Sequence, residues 1–321
     1  MRSNPHIAAF FQALADSTRL RVLALLRMME LSVGELAQVL GQSQPRVSRH
    51  LKILSDAGLL ERRKEGSWVF LTLAHEDRTD PVFALLDVAA DGDIKSAFAA
   101  DAARLESIRT ERTEAATRYF AAHAHVWDQI RSLHVAESEV ERAVGAVLGD
   151  RPLGRLVDIG TGTGRMIELF APRASQAIGI DRSSEMLRLA RAKLEAAGIQ
   201  SSLRQGDMYA LPLTEGSADC VILHQVLRYA HSPAAAIAEA ARVLDQAGTL
   251  LVVDFAAHDR EDLRERDAHI RLGFEDEVMR DWFNGAGLVV DHIQHLEGGE
   301  LTVTIWRGVK APAAQRRRKA A

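Results

Sequence analysis

The rhythm of apolar and polar positions changes along the 321 residues. Over the first 74, apolar residues recur at helical spacing in short runs: Phe10, Phe11 and Leu14, then Leu20, Leu23 and Leu26. That spacing predicts helices over 6–15 and 17–29. Ser32-Val33-Gly34-Glu35 has the form of a capping box and predicts a helix over 33–40. Gly41-Gln42 makes the turn out of it. Ser43 is placed to cap the next helix, and Pro45 falls in its first turn, where the missing N–H costs nothing. That helix runs to about Ala57, with Gly58 as the left-handed residue that stops it. The runs 59–64 and 67–73 flank Glu65-Gly66 and read as two strands and a turn. From 81 to 117 the pattern is helical and polar. Pro81 starts one segment, Gly92 breaks it and Asp93 caps a second, whose Ala99, Ala102, Leu105 and Ile108 form a narrow apolar stripe.

From 118 onward helices alternate with apolar strands, the pattern of an α/β sandwich around a parallel sheet. The run 155–159 ends in Gly160-Thr161-Gly162-Thr163-Gly164, and helical residues follow to about Phe170. The run 177–180 ends in Asp181, followed by a helix from Ser183 to a stop at Gly198. Residues 201–205 lead to Gly206-Asp207, and 219–223 is another strand. Ser232-Pro233 opens a helix, 250–254 is a strand, and a helix over 277–286 closes at Gly287. The alternating runs 288–293 and 301–306, with a turn near Gly298-Gly299, predict an antiparallel final pair.

Two short helices joined by a tight turn, then a basic hairpin, define a winged helix-turn-helix, an α+β unit. Its second helix offers Gln44, Arg46, Ser48, Arg49 and Lys52, and Arg and Gln are the side chains that bind guanine and adenine edges bidentately. The hairpin carries Arg62, Arg63 and Lys64 for phosphate contacts. Charge agrees with this. Residues 1–74 hold ten Lys+Arg against six Asp+Glu, and 307–321 hold six Lys+Arg and no acid, while the chain as a whole carries −4. A basic end on an acidic body implies a polyanion partner. The segments Phe11-Gln12-Ala13-Leu14-Ala15-Asp16-Ser17-Thr18-Arg19-Leu20-Arg21, Gln44-Pro45-Arg46-Val47-Ser48-Arg49-His50-Leu51-Lys52-Ile53-Leu54 and Ala57-Gly58-Leu59-Leu60 resemble the ArsR/SmtB transcriptional regulators. So does Gly66-Ser67-Trp68-Val69-Phe70. The resemblance covers about 6–75. It implies a homodimer on double-stranded, palindromic operator DNA, usually a repressor released by an effector, with dimer contacts from helices after the hairpin. The segment 76–117 is then a dimerisation element or a helical linker. Founding members sense metals through cysteines before or within the third helix. Here Met29-Glu30-Leu31-Ser32-Val33-Gly34 has none, so no metal is expected.

A glycine-rich turn between strand and helix lets a ligand approach the backbone closely. A dinucleotide fold wants Gly-x-Gly-x-x-Gly, but Arg165 stands where the third glycine would be. Instead the chain reads Asp158-x-Gly160-x-Gly162-x-Gly164. Asp158 can orient the loop and help hold a cationic amino group, where a pyrophosphate would be repelled. Asp181 is placed to accept from both hydroxyls of a ribose, and Asp207 from the amino group of an adenine. Val157-Asp158-Ile159-Gly160-Thr161-Gly162-Thr163-Gly164, Gly179-Ile180-Asp181 and Gly206-Asp207-Met208-Tyr209-Ala210-Leu211-Pro212 resemble class I S-adenosylmethionine-dependent methyltransferases of the ubiquinone/menaquinone-biosynthesis type, over about 118–308. The resemblance implies a Rossmann-like, seven-stranded, mostly parallel sheet whose last strand is antiparallel. It carries cofactor contacts onto Asp158, Gly160, Gly162, Asp181, Asp207 and Met208. Thr161, Gly164, Arg182 and Met186 complete the candidate set. Tyr119, Phe120 and Trp127 precede the first strand, where the family has an aromatic lid; core or interface positions are equally open to them.

His224 follows the fourth strand at the mouth where a methyl acceptor would sit. It is a polar cofactor contact or a weak candidate base, with no partner carboxylate identifiable from the sequence. Cys220, the single cysteine, excludes an intramolecular disulfide framework and reads as a small buried hydrophobe. The tail 309–321 reads as basic and disordered. No apolar stretch reaches the roughly 20 residues of a membrane span. The start of the chain lacks a signal-peptide core, so a cytoplasmic address is expected. Two readings follow. In one, the methyltransferase-like domain binds S-adenosylmethionine or S-adenosylhomocysteine as the effector of a regulator. In the other, it is a working methyltransferase of a small-molecule acceptor, and the DNA-binding domain regulates its own operon.

Overall fold

The computed structural model describes residues 7–65, 68–74, 76–89, 92–123, 136–297 and 299–310, and the chain divides into two compact units, Met1–Glu114 and Ala115–Ala321. The first unit holds α1 (Ile7–Leu14), α2 (Ser17–Met28), β1 (Leu31–Ser32), α3 (Val33–Leu40), α4 (Gln44–Asp56), β2 (Leu60–Glu65), β3 (Trp68–Leu73) and α5 (Glu76–Ala89). The long α6 (Gly92–His123) begins in it. Local signals set these bounds. Asp16 caps α2 by accepting the Arg19 N–H at 3.1 Å. The capping box closes at α3: Glu35 N donates to Ser32 Oγ at 3.2 Å, and Ser32 N donates to Glu35 Oε2 at 2.7 Å. Gly41, at φ 65°, turns the chain from α3 into α4. Ser43 holds the cap position of α4 in extended backbone without a side-chain cap bond, and Pro45 lies in the first turn.

The three short strands form an antiparallel sheet in the order β1-β3-β2, with Leu31 opposite Leu71 and Leu60 opposite Leu73. Val22 and Leu23 of α2, Leu36 and Val39 of α3, Val47, Leu51 and Leu54 of α4 and Leu71 of β3 fill the core. Two expectations are corrected here. Pro81 does not start a helix: α5 begins at Glu76 and Pro81 lies inside it. The missing N–H removes one backbone bond near the helix start, while Val82 and Phe83 are buried in the unit's core and hold the helix in place. The stripe on α6 is not free for a partner either. Leu105 and Ile108 are buried in the same core, and only Ala99 is exposed.

The second unit is built from α7 (Glu137–Leu148), β4 (Gly154–Ile159), α8 (Arg165–Phe170), β5 (Ala174–Asp181), α9 (Ser184–Ala196), β6 (Ser202–Gln205), β7 (Ala218–His224), α10 (Pro233–Val243) and β8 (Leu244–Phe255), then α11 (Asp262–Arg266), α12 (Asp276–Gly285), β9 (Leu288–Leu296) and β10 (Val303–Lys310). Seven strands make one sheet in the order β6-β5-β4-β7-β8-β10-β9. The pairs from β6 to β8 are parallel, and β10 runs antiparallel to both β8 and β9. Successive strand residues face opposite sides. Leu156, Ile222 and Leu251 therefore join α7 and α8 in one core, while Val157, Val221 and Val252 join α10 and α12 in the other.

Strand order reverses between β4 and β7, and ligands of open α/β sheets bind beyond the carboxyl ends of the strands at such a reversal. The strands run longer than their apolar cores. β8 starts at Leu244, six residues before the expected 250, with Ala247 at φ 60° accommodating the irregular pairing. Residues 309 and 310 belong to β10, not to the tail. Lys310 is buried and its Nζ donates to the carbonyls of Ala241 (2.9 Å) and Leu244 (2.6 Å), closing the carboxyl end of α10. The rest of the tail lies outside the described residues. Among the described residues no helix is long and apolar enough to cross a membrane.

Candidate nucleic-acid interface and cofactor site

α4 has two faces. Val47, Leu51 and Leu54 are buried, whereas Gln44, Arg46, Ser48, Arg49 and Lys52 are all exposed. Arg46 and Arg49 are three apart and Ser48 and Lys52 four apart, so these side chains share one surface. In β2 alternate residues face opposite sides, and this separates the three basic residues of the hairpin. Arg62 and Lys64 are exposed. Arg63 is turned inward: its guanidinium meets Glu30 at 2.9 Å and Glu65 at 3.0 Å and lies 5.4 Å from the Phe70 ring centre. It ties β2 to the chain before β1, a role its place in a basic run does not reveal.

The cofactor candidates gather at the carboxyl ends of β4, β5 and β6. Gly160, Gly162 and Gly164 take φ values of 71°, 53° and 82°, which favour glycine. A Cβ on Gly160 would stand 2.4 Å from Val226 Cγ2, so the loop is pressed against the turn after β7. The loop amides are used internally. Gly160 and Thr161 donate to the Ile180 carbonyl at 2.7 and 3.0 Å, Gly162 donates to Asp181 Oδ2 at 2.8 Å, and Gly164 donates to the Thr161 carbonyl at 2.8 Å. Thr161 Oγ1 donates to the buried Asp158 at 2.6 Å.

Asp181 also accepts from Ser183 N at 2.8 Å. Burial pushes its carboxyl up, against backbone N–H donors from Ser183, Gly162 and Arg182 that pull it down. Asp207 accepts from Tyr209 N at 3.0 Å, with Arg182 Nη1 3.7 Å from its other oxygen. Met208 is half-buried. Met186 is buried on the first turn of α9, which Ser183 caps.

This donor set suits one kind of ligand. A pyrophosphate needs free amides, and those of Gly160, Thr161, Gly162 and Gly164 are committed. Three carboxyl groups at three strand ends instead accept from ribose hydroxyls and amino groups, and their field favours a cation. S-adenosylmethionine offers all of these. Asp181 would hold the ribose, Asp207 the adenine and Asp158 the amino-acid end. Arg165, where a dinucleotide loop would have glycine, makes a bidentate pair with Glu141 of α7 at 2.6 and 2.8 Å, and a further contact with Glu168 at 2.8 Å. It anchors the helix behind the loop and does not enter the site.

His224 ends β7, buried, opposite Val253 of β8. Its partner is a residue that sequence reasoning missed: Nε2 lies 3.9 Å from Glu137 Oε1, at the start of α7. Only an acidic first turn marked that position, and nothing in the sequence joined the two. The next residue, Gln225, is left-handed at φ 54°, an uncommon conformation that redirects the chain. Arg228 holds this turn from beneath. Its Nη1 meets Asp254 Oδ1 at 3.0 Å, its backbone N–H donates to Asp254 Oδ2 at 3.1 Å, and its Nη2 donates to Gln225 Oε1 at 3.3 Å. Both charged groups are buried.

Cys220 is buried within β7, and burial pushes its thiol up to about 12, which keeps it protonated and unreactive. Tyr119 and Phe120 fall on α6, but their side chains lie outside what the structure describes, as does Trp127.

A winged helix-turn-helix unit followed by a class I methyltransferase fold is the architecture these elements define. Family models agree. One for bacterial regulatory proteins of the arsR family matches residues 16–62, and one for methyltransferase domains matches 157–252. The arsenical resistance operon repressor of Escherichia coli is 49% identical over 65 residues, 20% of this chain and 56% of that protein. An HTH-type transcriptional regulator of Methanocaldococcus jannaschii is 38% identical over 81 residues, 25% of this chain and 90% of that protein. The demethylmenaquinone methyltransferase of Thermus thermophilus is 34% identical over 116 residues, 36% of this chain and 52% of that protein. A chain from the complex of the Haloferax volcanii Trm112 methyltransferase activator with a methyltransferase superposes with a TM-score of 0.50 at 21% identity. The match covers 60% of this chain and 98% of that one, a likeness of fold. The chain belongs, through its first unit, to the arsR family of bacterial regulatory proteins, and it joins to that unit a class I methyltransferase domain. It spans between about a third and just over half the length of the first curated relatives it matches, 36% and 56% for two of them.

Proposed function

We propose that this protein is a cytoplasmic transcriptional regulator, most simply a repressor, that binds double-stranded operator DNA as a homodimer. Its methyltransferase unit takes S-adenosylmethionine or S-adenosylhomocysteine as effector, as methyl donor or as both. In this reading 1–75 bind DNA, 76–117 make the dimer contacts or link the units, 118–308 hold the cofactor, and the basic residues beyond β10 add non-specific attraction to DNA. The observation that carries it is the glycine loop with its Gly160, Thr161, Gly162 and Gly164 amides already satisfied beside Asp158, Asp181 and Asp207, in a chain whose first unit exposes five polar side chains on α4. The two ligands differ by a methyl group and a positive charge, a difference that three carboxyl groups can sense. A coupling of about 1–3 kcal/mol between the sites would change operator affinity about 5- to 150-fold.

A second reading, a small-molecule methyltransferase that regulates its own operon, is favoured by the pairing of His224 with Glu137. The first test is calorimetric titration of the full chain with S-adenosylhomocysteine, beside a footprint on the DNA upstream of its own gene. Saturable binding that Asp181→Ala removes, with a symmetric footprint that Arg49→Ala removes, is the expected result. Heat of binding unchanged in Asp181→Ala, or no footprint, would defeat the proposal.

A further inference from the structure

We propose that Ile53 is a specificity-determining residue of the DNA interface, and that it reads the 5-methyl group of a thymine one or two base pairs from a guanine held by Arg49. This deepens the operator-binding reading above and rests on it.

Val47, Leu51 and Leu54 supply the buried side of α4. Its exposed side is polar except at two places. Pro45 belongs to the helix start, where a proline costs nothing. Ile53 has no such reason: it is 42% exposed, near the other end of the helix. A β-branched side chain lowers helix propensity, and its apolar surface gains nothing from water. The position is well held. The Ile53 carbonyl accepts from Ala57 N at 3.0 Å, and Leu59 N donates to the Leu54 carbonyl at 3.0 Å, so the last turn is closed around it. Arg46, Arg49 and Ile53 are spaced three and then four apart and form one line along the helix. Gln44, Ser48 and Lys52, each four apart, form a second line beside it. Asp56 is exposed three residues after Ile53, and phosphates repel its carboxylate, so the reading surface runs from Gln44 to Ile53.

The chemistry of the groove selects the base. The major-groove edges of the base pairs carry hydrogen-bond donors and acceptors, and one apolar group, the 5-methyl of thymine. An aliphatic side chain pressed against that edge therefore gains from a thymine. Against a cytosine it would cover an amino group and leave its N–H unpaired. Arg49, on the same line, has the fork that matches guanine O6 and N7. Four residues of helix span about 6 Å, and successive base pairs lie about 3.4 Å apart. With α4 lying in the groove, the thymine then falls one or two base pairs from the guanine.

The test uses the full chain and a duplex that it selects from a random-sequence pool. Each thymine of that duplex is replaced in turn by deoxyuridine, which removes the methyl group and nothing else. Affinity is read by fluorescence anisotropy at fixed salt. One thymine in each half-site should respond, with wild-type affinity falling about fourfold for each methyl group lost. Ile53→Ala should bind the thymine and uracil duplexes alike, at the level of wild type on uracil. A merely structural side chain would lower both equally and leave their ratio unchanged. Replacing the guanine beside the responding thymine by 7-deazaguanine, which lacks N7, should weaken wild type but not Arg49→Ala. The absence of a responding thymine, or an equal response in Ile53→Ala and wild type, overturns the proposal. So does a responding thymine with no such guanine within about three base pairs. Should Ile53→Ala lose helix content by circular dichroism, Ile53→Gln decides by the same ratio. A wild type that selects no duplex is a different result, and defeats the operator-binding reading first.

Discussion

Asp254→Asn is the sharpest perturbation of the methyltransferase unit. It keeps the shape of the side chain, but its single oxygen can serve only one of the two backbone N–H groups that Asp254 accepts, Arg228 at Oδ2 (3.1 Å) and Phe255 at Oδ1 (2.9 Å). It removes the charge opposite the Arg228 guanidinium and one of the two acceptor oxygens. That guanidinium is 4% exposed and lies 4.5 Å from the Phe255 ring centre, so no water replaces the lost partner. Breaking one side of a buried pair costs about 3–5 kcal/mol. For a unit of this size each kcal/mol moves Tm by about 2–4 °C, so the midpoint should fall by roughly 6–20 °C. Arg228→Met strands the carboxylate and should cost a similar amount. The double variant Arg228→Met with Asp254→Asn should be more stable than the sum of the two predicts, by at least about 2 kcal/mol, because neither charge is then left alone. Thermal and urea unfolding of the full chain measure all four corners of the cycle. Effects that add within about 0.5 kcal/mol would refute the reasoning and show that solvent reaches the pair.

Other perturbations separate the remaining roles. Arg46→Ala and Arg49→Ala should each weaken operator binding by about 1–3 kcal/mol, read by fluorescence anisotropy. Arg63→Ala should leave the salt dependence of binding unchanged and lower stability instead, because its guanidinium is held by Glu30 and Glu65; a reduced salt slope would contradict that. Burial raises the Asp181 carboxyl, so protonation on acidification removes an acceptor at pH values above the ordinary aspartate midpoint of 3.8. Affinity for S-adenosylhomocysteine should therefore be present at neutral pH and lost as pH falls through that raised midpoint. Asp181→Asn should flatten this limb, and a flat wild-type profile down to about pH 4 would refute the assignment. Gly160→Ala forces a methyl group into Val226 at a φ of 71° and should abolish nucleotide binding; Val226→Ala relieves the clash but not the strain of about 1–2 kcal/mol, and should rescue only in part.

What the sequence made legible is what short-range chemistry decides. The Ser32/Glu35 box, Gly41, Gly58 and the short apolar runs of β4, β7 and β8 fix helices, turns and strands within a few residues of themselves. They led to the winged helix and the three carboxyl-bearing strand ends, while the seven-stranded sheet was what the resemblance to class I methyltransferases implied. Long-range pairs left no such mark. Glu137 and His224 are joined only by the fold, as are Arg165 with Glu141, Arg228 with Asp254 and Lys310 with the end of α10. Arg63 reads as a phosphate contact in a basic run, yet the pleat of β2 turns it inward. Pro81 reads as a helix start, yet burial of Val82 and Phe83 carries α5 past it. In each case burial and pairing across the fold outweighed a local preference.

The central claim is that the two units share one response. The most direct measurement is the affinity of the full chain for the DNA upstream of its own gene, by fluorescence anisotropy at fixed salt. It should be made without ligand, with S-adenosylmethionine and with S-adenosylhomocysteine. The account predicts that affinity differs by tenfold or more between these states, about 1.4 kcal/mol of coupling. Identical affinities in a protein that binds both nucleotides would contradict it and leave the second unit to chemistry alone.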